Sequence, residues 1–166
     1  LRAYLSPDLV GIELAGALKN VIAIGGGMSD GLGFGDNTKG ALIARGLLEM
    51  ARLGSVKGAD PGSFLGIAGV GDLFATANSK LSRNYRLGYA LGNGQPLKDA
   101  LESLGQVAEG VPTSEAALVL ARKHMVQVPI METIAGVISG RVSARDAVQS
   151  LMEREPKPEG WEAILR

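Results

Sequence analysis

The chain contains no cysteine and only one histidine. Lacking cysteine, it can form neither disulfides nor thiolate metal sites, as expected of a cytosolic protein. A lone histidine, His124, rules out a histidine cluster around a metal. Neither sign of charge is in excess: 17 basic residues balance 17 acidic ones. This neutrality gives no electrostatic reason to expect nucleic acid or an anionic membrane as a partner. No uncharged run reaches the roughly 18 residues that span a bilayer, and no charged stretch followed by an apolar one marks a secretory leader. Alternating strand patterns are nearly absent too. The expected class is therefore all-α, in one domain large enough to bury a core.

An initiator methionine is also missing. The chain opens on "LRAYLSPD", which reads as a piece of a longer protein. Its mean hydropathy of +0.16 is high for such a piece. A surface that faces another domain or subunit would account for it.

Glycine, by contrast, is abundant. Seven of the 17 residues in "IGGGMSDGLGFGDNTKG", 24–40, are glycine. A dinucleotide fingerprint would need G-x-G-x-x-G, but Asp30 stands where the third glycine belongs. A Walker loop would need Gly-Lys-Ser/Thr, but Lys39 sits between Thr38 and Gly40. The stretch reads instead as a helix end and turn. Small residues at 25–27 allow close approach, and the Gly31–Gly35 run permits a positive φ.

Helical signals are dense. Ser6-Pro7 predicts a helix start with a serine cap and proline at the first position. A long helix over 10–28 follows, and Asp36 or Asn37 is expected to cap a second, ending at Gly54. Shorter helices are expected over 60–68, 71–78, 96–104, 113–124, 129–139 and 143–153, with Ser82 capping another. Residues 105–111, "GQVAEGV", are expected to be extended. The tail after 155 reads as loose, with Trp161 available to dock.

A few side chains could carry chemistry. Around Lys19 on the first helix lie Ile12, Ala15, Gly16, Ile22, Ala23, Gly26 and Asp30, mostly small. Leu14, Val21 and Met28 lie opposite, where core belongs. The small stripe has two readings: a close helix crossing with Lys19 snorkelling outward, or room for a ligand beside the ammonium. Asp72 and Thr76, four apart, share one helix face. Ser82-Arg83-Asn84 opens a helix, where unpaired N–H groups, the dipole and a guanidinium can meet a phosphate. A capping serine with a solvated arginine is the plainer alternative.

These pieces occur in a distinctive order: "ELAGALKNVIAI", "SDGLGFGDNTKGALIARGLLEM", "GADPGSFLGIAGVGDL", "SRN" and "GQVAEGV". Together they resemble the C-terminal domain of bacterial NAD(P)-dependent glycerol-3-phosphate dehydrogenase, over about residues 4–155. The resemblance implies a helical domain of the 6-phosphogluconate-dehydrogenase-like type, without its N-terminal Rossmann domain. Residues 1–10 would end that missing domain and its linker, 11–155 would form the substrate and catalytic domain, and 156–166 a tail. By the same resemblance, Lys19 transfers the proton and Asp72 orients it. Asn20 and Thr76 line the substrate site, and Ser82, Arg83 and Asn84 hold the substrate phosphate. Arg83, Val107 and Glu109 contact NAD(P)H, which the absent domain mainly binds. No metal is implied.

The implied reaction is reversible reduction of dihydroxyacetone phosphate to sn-glycerol 3-phosphate, feeding glycerophospholipid synthesis in the cytoplasm. A homodimer is an implied partner state. The choice between NAD and NADP lies in the missing half. Two departures from the family pattern stand out. Tyr85 replaces a second arginine after "SRN", with a change in phosphate-site charge expected, and Ala77-Asn78 replaces a Cys/Thr pair. The competing hypothesis is a non-enzymatic helical module for dimerisation or partner binding. Convergence of Lys19, Asp72 and residues 82–84 on one site would argue against it.

Overall fold

The computed structural model describes residues 2–154. Among these the regular elements are all helical: α1 (Leu9–Gly31), α2 (Asp36–Ser55), α3 (Asp72–Ala77), α4 (Arg83–Gly92), α5 (Leu97–Leu104), α6 (Gly110–His124), α7 (Pro129–Ile138) and α8 (Ala144–Met152). A 3₁₀ turn (Pro61–Leu65) and a π-helical turn (Ile67–Gly71) lie between α2 and α3. The expected single helix over 60–68 is therefore two irregular turns. At Gly69 a side chain would stand 2.0 Å from the Phe64 carbonyl oxygen, so the main chain folds back on itself there.

The central element is α1. Val21, Ile22, Ala23 and Ile24 are fully buried in succession, so the helix is covered on all sides along this stretch. Its packing partners are α2, α3, α4, α6 and α7. By length and composition α1 could cross a membrane, but half of it or more is buried inside this domain. The amphipathic reading of α1 therefore holds only for its first turns. Leu14, expected in the core, is only partly buried.

Glycines set how closely α4 approaches α1. A Cβ on Gly27 would stand 2.1 Å from the Tyr85 carbonyl oxygen, and one on Gly31 2.4 Å from that of Tyr89. Reciprocally, a Cβ on Gly88 would stand 1.9 Å from the Ile24 carbonyl oxygen and one on Gly92 2.5 Å from that of Met28. Two pairs of glycines, each spaced four apart, thus bring main chain against main chain. The two helices run parallel and in step, since Asn84 meets Asn20, Gly88 meets Ile24 and Gly92 meets Met28.

Several helix ends differ from expectation for local chemical reasons. The cap of α1 is Asp8, whose Oδ1 accepts from the Gly11 N–H at 2.9 Å. Ser6 accepts only from the Asp8 N–H, so Pro7 precedes the cap rather than following it. Asp8 Oδ2 also accepts from the Asp60 N–H and the Ser63 hydroxyl. A carboxylate can serve three donors, which a serine hydroxyl cannot. The Ser63 hydrogen bond, followed by that of Gly11, holds the Asp8 carboxyl below its usual range. α2 begins at Asp36 itself behind Gly35, with no side-chain cap, so neither Asp36 nor Asn37 caps it. Gly33, at φ +78°, makes the turn between α1 and α2. Residues 105–111 are not a strand: Gly105 ends α5 in the left-handed region, and α6 has already begun at Gly110. The tail and Trp161 lie outside the described residues.

One buried charge organises the far side. Glu49 on α2 is 1% exposed, and its two oxygens accept from the Ile130 N–H at 2.7 Å and the Met131 N–H at 3.0 Å. It thus satisfies the N-terminus of α7, which has no side-chain cap of its own. Burial pushes its carboxyl from 4.5 up to about 7, against the pull of those hydrogen bonds.

Two expected outcomes follow from this packing. Gly88→Ala should cost about 3 kcal/mol, the upper end for overpacking, because the obstacle is backbone. Gly40→Ala, on an open face of α2 with nothing within 4 Å, should gain about 0.5–1 kcal/mol. Urea denaturation compares the two. For Glu49, the folded chain keeps a proton that the unfolded chain has lost between pH 4.5 and about 7. Stability contributed by this group should therefore fall as pH rises through that window and level off above it. Urea midpoints at pH 5 and pH 8 should show that fall in the wild type, and Glu49→Gln should flatten it.

Candidate active site

Lys19 sits in the middle of α1 and turns toward α3. Its Nζ pairs with Asp72 Oδ2 and lies 3.4 Å from Thr76 Oγ1. Thr76 in turn donates to Asp72 Oδ1 at 3.3 Å. The Lys19 side chain is 17% exposed and that of Asp72 43%, so the pair lies at the domain surface without being solvated throughout. Lys19 does not snorkel into solvent. Asp72 is the first residue of α3, where its negative charge also faces the positive end of the helix dipole.

The small stripe beside Lys19 has two uses. Toward the C-terminus, Gly26 receives Ala77 of α3, whose Cβ lies 3.3 Å from where a Gly26 side chain would start. That part is a helix crossing, and it accounts for alanine at 77. Toward the N-terminus, Gly16 has nothing within 4 Å. Open space remains on that side of the ammonium.

Asn20 carries the geometry from Lys19 to the other elements. Its Oδ1 accepts from Asn84 Nδ2 at 2.8 Å, and its own Nδ2 lies 3.3 Å from the Gly16 carbonyl and 3.5 Å from Glu109 Oε2. Asn84 Oδ1 accepts from the Gly110 N–H at 2.9 Å, which fixes the start of α6. Both asparagines are buried. Glu109 reaches outward to Arg83, at 3.8 Å, with both side chains largely exposed. Ser82 caps α4 as expected, its Oγ accepting from the Tyr85 N–H at 3.2 Å. The N–H groups of Arg83 and Asn84 remain those that a helix cannot pair internally. Val107 is 68% exposed in the loop before α6, an apolar side chain beside the polar group.

The structure therefore gathers Lys19, Asp72 and Thr76 into one hydrogen-bonded cluster and Asn20, Asn84 and Glu109 into a second, with Arg83 ion-paired to Glu109. The two clusters adjoin through the neighbouring residues Lys19 and Asn20, with Ser82 and Val107 at the edges. Sequence reading did not foresee that Asn84 is spent on holding three elements together. Nor did it foresee where Tyr85 goes. Tyr85 is buried and donates to Asp30 Oδ2 at 2.7 Å, and Lys39 donates to the same oxygen at 2.7 Å. The Lys39 ammonium lies 5.3 Å from the Tyr85 ring centre. Burial, together with Asp30, pushes the Tyr85 hydroxyl up to about 12. The departure at position 85 thus engages the junction of α1, α2 and α4. Asp30 is 55 residues away in the sequence, so no local pattern signalled this contact.

The model for the C-terminus of NAD-dependent glycerol-3-phosphate dehydrogenase matches residues 8–149. The chain belongs to that family. It is 54% identical over 158 residues to the glycerol-3-phosphate dehydrogenase [NAD(P)+] of Geobacillus thermodenitrificans, covering 95% of this chain and 46% of the relative. With that of Serratia proteamaculans it shares 51% identity, covering 95% of this chain and 47% of the relative. The chain thus spans about half the length of the curated relatives it matches. A crystal structure of glycerol-3-phosphate dehydrogenase from Coxiella burnetii superposes with a TM-score of 0.89 at 42% identity, over 92% of this chain and 47% of that one. The Saccharomyces cerevisiae glycerol-3-phosphate dehydrogenase structure gives 0.79 at 26% identity, over 88% of this chain and 43% of that one. The all-helical architecture is that of this family's C-terminal domain.

Asn84→Ala should destabilise the fold by about 2 kcal/mol. It leaves the buried Gly110 N–H and Asn20 Oδ1 without partners, and the desolvation cost of such groups is about 1–3 kcal/mol. Urea unfolding measures it.

Proposed function

We propose that this chain is the substrate-binding and catalytic domain of a glycerol-3-phosphate dehydrogenase. The reaction is NAD(P)H-dependent, reversible reduction of dihydroxyacetone phosphate to sn-glycerol 3-phosphate in the cytoplasm, supplying glycerophospholipid synthesis. One observation carries the reading. Adjacent residues Lys19 and Asn20 set a lysine–aspartate pair beside the asparagine–glutamate cluster that reaches the Arg83 end of α4. A helical dimerisation or partner-binding module has no need of that juxtaposition.

The residues fit the margin of a dinucleotide site rather than the whole of one. Arg83 and Glu109 present exposed charge, Val107 presents exposed apolar surface, and no glycine-rich phosphate cradle accompanies them. A Rossmann domain outside this chain would hold most of the cofactor. NAD(P)H, when bound, supplies the hydride. Lys19 holds the proton at the substrate's C2 oxygen and delivers it as alkoxide charge develops. Asp72 accepts from the ammonium and fixes where Nζ stands, with Thr76 restraining both. In the oxidative direction the neutral amine takes the hydroxyl proton. Arg83 and the first N–H groups of α4 receive the phosphate. Binding that end orients the carbonyl carbon, so part of the barrier is met by positioning. Asn20 and Asn84 keep the phosphate end and the lysine in fixed relation. A homodimer is part of the same reading.

Lys19→Ala in the complete two-domain enzyme should lower kcat by several orders of magnitude while NAD(P)H binding survives. Proton transfer by a positioned group contributes roughly 10²–10⁴-fold, and electrostatic stabilisation adds to it. Lys19→Arg should not rescue, since a guanidinium keeps its proton near neutral pH. Single-turnover hydride transfer, followed by NAD(P)H absorbance with circular dichroism as a fold check, tests this. Transfer within tenfold of wild type in folded Lys19→Ala would make Lys19 structural. The 166-residue chain alone should show no turnover.

A further inference from the structure

A cavity of about 490 Å³ opens between α1, α2, α7 and α8, and it shares no residue with the candidate active site. Ser29, which lines it from α1, is ten residues from Lys19, about 15 Å along the helix. The size falls within the range of small-molecule sites.

Its lining has a definite chemistry. The walls include Leu42, Ile134, Val137, Ala147, Val148 and Leu151. All are aliphatic or small, and no aromatic side chain lines the cavity among the described residues. Such walls suit a flexible aliphatic chain and offer nothing for a flat ring to stack on.

The polar groups are unbalanced toward positive charge. Arg45, Glu49 and Arg52 lie on one face of α2, spaced four and then three apart, and all three line the cavity. Arg154 lines it too. Among the described residues no carboxylate lies within 4.0 Å of any of these guanidiniums. Glu49 is the one acidic residue in the lining, and its oxygens are already taken by the Ile130 and Met131 N–H groups. Burial pushes its carboxyl up to about 7, which weakens it as a counter-charge. Ser29, 2% exposed, contributes a buried hydroxyl with no protein partner. Buried polar groups left unpaired by the protein call for another partner.

We propose that this cavity binds an aliphatic carboxylate of medium chain length, with its chain along the α7–α8 wall and its head between Arg45 and Arg52. Arg52 Nε donates to the Leu48 carbonyl at 3.4 Å, but a cationic or neutral head would leave both guanidiniums without a counter-charge. The site is separate from the dehydrogenase chemistry, and its test reads no turnover.

The test is calorimetric titration of the 166-residue chain at pH 7 with decanoate below its micelle concentration, against 1-decanol and decyltrimethylammonium. Saturable one-to-one binding of decanoate is expected, at least tenfold tighter than the other two. Arg45→Gln with Arg52→Gln should weaken it at least tenfold. Val148→Trp, filling the cavity from a partly exposed position, should abolish it, with circular dichroism confirming the fold of each variant. No saturable binding, equal binding of the cation, or indifference to the double arginine variant overturns the proposal. Binding seen only after deletion of residues 155–166 assigns the cavity to the chain's own tail and overturns it as well.

Discussion

Everything at the candidate site depends on the main-chain contact between α1 and α4. Gly27 and Gly31 on one helix face Gly88 and Gly92 on the other, and the obstacle to any side chain there is a carbonyl oxygen or Cα. Because the two helices run parallel, the contact fixes a constant offset between them. The same offset that seats Gly88 on Ile24 also seats Asn84 beside Asn20. Lys19 precedes Asn20, and Arg83 precedes Asn84. The relation between the lysine and the arginine, which the proposed chemistry needs, is thus set by glycines a turn or more away from both.

Carboxylates then tie the remaining elements to this pair of helices. Asp8 joins the start of α1 to the 3₁₀ turn. Asp30 joins α2 and α4 through Lys39 and Tyr85. Asp72 joins α3 to Lys19, and Glu49 joins α2 to α7. In each case an acidic group accepts from donors on another element, as buried or half-buried charge must. The glycines bring the helices close, and the carboxylates hold the elements in place around them.

The helical class and most helices were legible in the sequence, because their periodicity and caps are local. Ser82 is an instance: a capping serine needs only its own next turn. What escaped was set by distant partners. Asp8 displaces Ser6 as the cap because Asp60 and Ser63, some fifty residues on, also donate to it. The start of α6 moves to Gly110 because Asn84 takes its N–H. A charge such as Glu49 reads as solvated in any pattern that places charges outward, since the helix N-terminus it serves is far away in sequence. The candidate residues themselves were recognised through family resemblance. Their spacing shows which of them share a helix face, but not that Asn20, Asn84 and Glu109 meet.

The parallel register of α1 and α4 also bears on how this domain tolerates changes in length. Adding or removing a residue within a helix turns everything beyond it by about 100°. Within residues 20–31 or 84–92 such a change would rotate the glycines off the facing backbone, and a larger or smaller side chain elsewhere could not compensate. Between the helices, by contrast, the chain passes through turns at residues 56–60 and 78–81 that end in caps rather than interlocked backbone. Insertions and deletions among functional members of this architecture therefore belong in those turns. A gapped alignment that breaks either half of the glycine seam has lost the register of the site.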